Sequence, residues 1–156
     1  MSPVETVRRQ RRKEARPAEL AAAALSLFIE KGFAATRLDE VAARAGVSKG
    51  TLYLYFDSKE ALFKAVIEEG VVPLFEEFEA KLETLQDDPE RLLREILQGW
   101  WDKVGSTDLG GICKLMISEA GNFPDVARYH HEAVIVRWMA LLGRAFPQDG
   151  LRIGTV

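Results

Sequence analysis

Apolar residues recur at helical spacing along nearly the whole chain, and nowhere do they alternate as a half-buried strand requires. Leu20, Ala24, Leu27 and Phe28 form one stripe before Gly32, and Leu38, Val41, Ala42 and Ala45 form a second. Val47, Leu52 and Phe56 make a third, and Leu62, Phe63, Val66 and Ile67 a fourth. Gly70 and Pro73 then demand a kink or break, after which the stripe resumes in Leu74, Phe75, Phe78, Leu82 and Leu85. Asp87, Asp88 and Pro89 end it. Three more helices follow, over 89–104, 112–120 and 125–146, separated by a loop at 105–111 and the stop-and-restart string GNFP at 121–124. The pattern predicts an all-α fold, with a module of three helices followed by a helical bundle.

Start and stop signals are densest between Thr36 and Lys59, TRLDEVAARAGVSKGTLYLYFDSK. Thr36 is placed to cap a short helix, with Asp39 as its capping-box partner. Gly46 supplies a left-handed turn, Val47 drops back onto the first helix, and Ser48 caps a second helix running to about Phe56. This is a helix-turn-helix layout over about 37–56. Its buried side is Val41, Ala45, Val47, Leu52 and Phe56. The opposite side of the second helix presents Lys49, Gly50, Thr51, Tyr53 and Tyr55: a cation, a residue without a side chain, and three hydroxyls. Such a set suits phosphates and base edges, because the second helix of this motif enters the major groove and glycine lets its backbone approach closely.

The longer string GFAATRLDEVAARAGVSKGTLYLYFDSKEAL, residues 32–62, resembles the DNA-binding segment of TetR/AcrR-type transcriptional regulators. A bare AxxxGV is weak. The full pattern AxxAGVSxGTLYxYFxSKExL spans the turn, the recognition helix and the start of the next helix, and is far more specific. Together the exposed face and the resemblance assign DNA contacts to Thr36, Arg37, Ser48, Lys49, Gly50, Thr51, Tyr53, Tyr55 and Lys59. Lys59 opposes the dipole of the helix it begins. The resemblance implies that a DNA phosphate offsets this, and the alternative is an exposed lysine with no partner.

Charge supports a division of labour along the chain. The net charge of the 156 residues is −3, yet residues 1–64 hold 12 Lys/Arg against 8 Asp/Glu and residues 65–156 hold 9 against 16. A basic head on an acidic body follows. Residues 1–13 read as a flexible basic arm, part of the cluster Arg8, Arg9, Arg11, Arg12, Lys13 and Arg16, with either a phosphate-contacting or a merely solubilising role. Pro17 reads as the opening of the first helix. Residues 14–74 read as the DNA-binding domain and 75–156 as the ligand-sensing and dimerisation body. One cysteine, Cys113, fits a reducing compartment, and neither an apolar leader nor a membrane-length apolar run is seen. A cytoplasmic location is expected.

Catalytic constellations are not found, so no enzyme, cofactor or metal is expected. His130 and His131 are adjacent, point about 100° apart on a helix, and read as a surface or edge pair. GxSxG and phosphate-cradling glycine loops are missing. The body is rich in large apolar rings, and Phe78, Trp100, Trp101, Met116, Phe123 and Trp138 are the candidate lining of a pocket for a small apolar or aromatic ligand. Plain core is the competing reading of each. The resemblance implies a repressor that binds a palindromic double-stranded operator as a homodimer and is released by that ligand. Such regulators usually continue into two further helices that pair across a two-fold axis. No periodic stretch follows Phe146, so pairing is expected to be weak. The alternative function is a helical protein–protein adaptor or partner of a full-length regulator.

Overall fold

The computed structural model describes residues 3–85 and 87–146, with side chains from Arg16 onward, and the expectations for residues 147–156 lie outside them. The described residues form helices and turns only. In order they are α1 (Pro3–Lys31), α2 (Leu38–Arg44), α3 (Lys49–Tyr53), α4 (Lys59–Gly70), α5 (Val72–Thr84) and α6 (Pro89–Trp100). α6 runs on into a π turn, Trp101–Gly105, and a 3-10 turn at Asp108–Gly110 leads to α7 (Gly111–Glu119). α8 (Pro124–His130), a π segment (His131–Val136) and α9 (Arg137–Ala145) make one continuous rod.

Side-chain caps set most of the starts. Ser48 Oγ accepts the Thr51 N–H at 3.1 Å, Ser58 Oγ the Ala61 N–H at 3.1 Å, and Asp88 Oδ1 the Arg91 N–H at 3.1 Å. α2 departs from the expectation. Its N-cap is Arg37, not Thr36, and the returning carboxylate is Glu40, whose Oε2 accepts the Arg37 N–H at 3.1 Å, not Asp39. The recognition helix also ends earlier than Phe56, at Tyr53. The basic arm is corrected too: the backbone is helical from Pro3 and passes through Pro17. Arg, Lys, Glu, Gln and Ala flank that proline, and all are strong helix formers. Residues 1–2 of the arm and the side chains of Arg8 to Lys13 lie outside the description.

Two apolar clusters hold the chain together. The first joins α1, α2, α3 and α4 through Leu20, Phe28, Phe33, Val41, Leu52 and Phe63, and extends into the body through Phe75, Ile112, Met116 and Val126. The second joins α5, α6 and α9 through Leu74, Phe78, Leu92, Ile96 and Leu141, and Trp138 borders both. The helical break falls at Val71, between α4 and α5, as Gly70 and Pro73 demand. Packing nevertheless crosses it. A Cβ on Gly70 would stand 2.6 Å from Leu109 Cδ2, so that glycine is where the body closes on the head.

Gly46 has φ +67° and nothing within 4 Å of a Cβ placed on it, so its only constraint is the left-handed backbone. Gly46→Ala is expected to lose about 1–2 kcal/mol of stability in urea denaturation, and Gly46→Asn less.

Candidate nucleic-acid interface and body cavity

α3 lies across the molecular surface on a base of apolar contacts. Leu52 is fully buried, while Ser48, Lys49, Gly50, Tyr53 and Leu54 are exposed. No side chain covers Gly50, leaving the backbone open to a close approach. Lys49 Nζ stands 5.9 Å from the Tyr53 ring centroid. Beside them an open groove of about 350 Å³ is lined by Thr36, Arg37, Leu38 and Asp39, by Lys49 and Tyr53, and by Lys59 and Glu60. It gathers five of the nine residues assigned to DNA from sequence. Ser48, Gly50, Thr51 and Tyr55 lie off it. Leu54, 82% exposed next to Tyr53, was not foreseen, because the pattern kept the helix going to Phe56.

Arg37 and Asp39 in the groove are already partnered. Arg37 Nε donates to Asp39 Oδ1 at 3.0 Å and its NH2 to Oδ2 at 3.1 Å, a bidentate pair. The hydrogen bond from Arg37 holds the Asp39 carboxyl below its ordinary range, and Lys49 adds to this. Ser48 and Thr51 hydroxyls lie 2.9 Å apart, tied up in the cap.

Three assignments change. Thr36 is buried at 2% exposure, and its hydroxyl donates to Gly32 O at 2.8 Å, which closes the turn between α1 and α2 and leaves nothing for phosphate. Tyr55 is half-buried against the first core, because α3 has ended and the chain has turned inward. Lys59 Nζ faces the protein: it donates to Phe33 O at 2.7 Å and Ala34 O at 2.9 Å. The same ammonium stands 4.9 Å from the Phe33 ring centroid and 5.8 Å from that of Phe123. Burial lowers its pKa. The α1–α2 turn supplies its hydrogen-bond partners, although the half-buried residue also lines the groove.

Residues 20–66 match the profile of the family described as bacterial regulatory proteins, tetR family. The solved structure of the flavonoid-responsive regulator FrrA is 33% identical, with a TM-score of 0.58, over 85% of this chain and 68% of that one. The chain belongs to the TetR family. A structure from Mesorhizobium loti MAFF303099, described as a TetR-family transcriptional regulator, superposes with a TM-score of 0.70 at 27% identity, covering 86% of this chain and 68% of that one. The activator FasR of Mycolicibacterium smegmatis (strain ATCC 700084 / mc(2)155) is 37% identical over 90 residues, 58% of this chain and 41% of FasR. The chain spans less than half the length of the curated relatives it first matches. These relatives are transcriptional regulators, not enzymes.

The TetR-family body holds a partly open cavity of about 140 Å³. α4 and α5 supply Ile67, Val71, Leu74, Phe75 and Phe78; α6 and its π turn supply Trp100 and Val104; the remaining wall is Leu109, Ile112, Cys113, His130, Val134, Ile135 and Trp138. Phe78, Trp100 and Trp138 are thus on the lining as the sequence suggested. Trp101, Met116 and Phe123 are not. Trp101 is 57% exposed, Met116 is buried in the first core, and Phe123 packs edge-on against Phe33 with centroids 4.7 Å apart. Nor are the histidines a surface pair: His131 is exposed but His130 is only 6% exposed. Val126, His130 and Val134 are spaced i, i+4, i+8, so one apolar face of the rod carries the histidine inward, a signal that was present in the sequence.

Burial, and then the neighbouring His131, lower the His130 pKa below its ordinary 6.5. In the unfolded chain the imidazole takes a proton near 6.5, and in the folded chain only at lower pH. Its contribution is therefore constant above 6.5, and stability falls as pH drops below that value. The carboxylates of Glu30, Asp39, Glu40 and Glu77 are all held below their ordinary range and titrate outside this window. Urea midpoints between about pH 6.5 and 5 should decline at up to about 1.4 kcal/mol per pH unit, and the decline should vanish in His130→Leu.

Proposed function

We propose that the protein is a sequence-specific DNA-binding transcriptional regulator, a repressor that binds a palindromic operator as a homodimer and is released by a small molecule in the body cavity. The observation that carries the reading is the exposed face of α3, where Lys49, an uncovered Gly50 backbone and Tyr53 stand together above a groove open to solvent. A short helix presented in this way fits a major groove, its N-terminal residues toward the bases. Head and half-site correspond one to one, so two heads are needed for a palindrome. Repression demands only that the bound protein cover a promoter. FasR is named an activator, which makes the sign of regulation a separate measurement.

The cavity shares a helix with the contacts to the head. α8 begins directly after Phe123, which packs on Phe33 at the base of the helix-turn-helix, and ends at His130, which lines the cavity. Tyr129 Oη donates to Glu68 Oε1 at 3.1 Å, tying the same helix to α4. A ligand that shifts α8 therefore pushes on the turn that aims α2 and α3. Release then requires different ligand affinities for the DNA-competent and incompetent arrangements. FrrA is named flavonoid-responsive, which supports small-molecule responsiveness in a relative of this fold.

Selection on random DNA followed by anisotropy titration tests the reading. Lys49→Ala and Tyr53→Phe are expected to weaken binding to the selected site by about 1–3 kcal/mol where they touch base edges; a phosphate contact by Lys49 should instead lower the salt slope by about 1. Unchanged affinity and slope in both variants would remove α3 from the interface.

A further inference from the structure

The cavity is small and almost wholly apolar, with one strong polar group on its wall. His130 is 6% exposed, and its imidazole makes no hydrogen bond among the described residues. No fully enclosed side-chain nitrogen or oxygen among the described residues lacks a partner, so the unpartnered His130 ring nitrogens keep some accessible surface, and the residue lines the cavity. A mostly buried, unpartnered imidazole on the wall of an apolar cavity selects a complement. We propose that the cavity binds a phenol: a single aromatic ring seated among Phe75, Phe78 and Trp138, with its hydroxyl hydrogen-bonded to His130.

Size sets the ring count. The 140 Å³ available is close to the about 150 Å³ of an engineered apolar cavity that takes benzene, so one ring fills it and a three-ring flavonoid would extend beyond it. Shape sets the flatness. Trp138 stands 5.9 Å from Phe75 edge-on and 5.4 Å from Phe78 tilted, a corner of rings that offers faces and edges to an aromatic guest. Polarity sets the substituent. A neutral imidazole offers one acceptor and one donor nitrogen, and a hydroxyl can serve either. Burial disfavours the imidazolium, so the wall itself offers a carboxylate no cation; the Arg137 guanidinium lies over the Phe75 ring, 4.7 Å from its centroid, and is not on the lining. Water is a poor substitute, since a well-held molecule needs two to four polar partners and the side chains of the wall offer only the imidazole and the weakly bonding thiol of the exposed Cys113.

The effector role of this ligand rests on the regulatory reading above; its binding does not. Calorimetric titration of the intact chain with phenol, toluene and benzoate decides the matter. Phenol is expected to bind at least about tenfold more tightly than toluene or benzoate. In His130→Leu that advantage should disappear while toluene binding persists, and His130→Asn should restore part of it. Toluene equal to phenol on the unaltered protein, an equal loss of both in His130→Leu, or no binding by any of the three would overturn the proposal. Should His130→Leu fail to fold, the ranking on the unaltered protein still decides. DNA binding without ligand is measured separately: phenol bound but no DNA refutes the regulator alone, and DNA bound but no phenol refutes the ligand alone.

Discussion

The ammonium of Lys59 is the point on which the head and body agree. It reaches two carbonyls of the α1–α2 turn and lies by the rings of Phe33 and Phe123, one from each half of the chain. The turn itself has little backbone bonding to hold it, so side chains close it: Lys59 from outside and the buried Thr36 hydroxyl from within. Hydrogen bonds from a charged donor contribute more than neutral ones, and they are strictly directional. Because Arg37, the cap of α2, comes immediately after this turn, the direction of the whole helix-turn-helix is inherited from it. Phe28, Phe33 and Phe63 form the wall behind, with centroids 5.1–6.3 Å apart.

What could be read from the sequence was what local chemistry decides. Ser48 and Ser58 cap because a hydroxyl there satisfies a free N–H, and the chain breaks at Val71 because Pro73 has no N–H to give. Leu20, Phe28, Leu52 and Phe63 are buried because their spacing puts them on one side. The misreadings concern polar partners. Lys59 and His130 carry polar groups whose partner, or lack of one, is set by residues distant in sequence or by a cavity, and Thr36 bonds back to Gly32 O, not forward into the helix it precedes. Thr36 looked like a cap and closes a turn; Lys59 looked like a phosphate anchor and holds carbonyls. Pro17 misled in the other direction, since a strong local breaker was overridden by the helix formers around it.

The groove's cations are held in reserve. Arg37 is engaged by Asp39, and Lys49 leans over Tyr53. A phosphate approaching the groove would therefore exchange one partner for another instead of meeting a bare charge. Such an arrangement limits indiscriminate attraction, because the internal carboxylate competes with every polyanion while only a well-fitted site recovers the loss.

The π segment in the rod, His131–Val136, has a mechanical meaning. An α-helix keeps a stripe of side chains in line by its 3.6-residue repeat, whereas i→i+5 closure sets everything beyond it out of phase. Val126 faces the first core and His130 the cavity; beyond the segment Trp138 still lines that cavity and borders both cores, while Leu141 reaches the second core. The rod is a crankshaft, one stiff backbone with two throws at different bearings. Its critical dimension is a residue count: with one residue fewer in that segment, Leu141 would swing about 100° around the axis and the second core would lose a buried member.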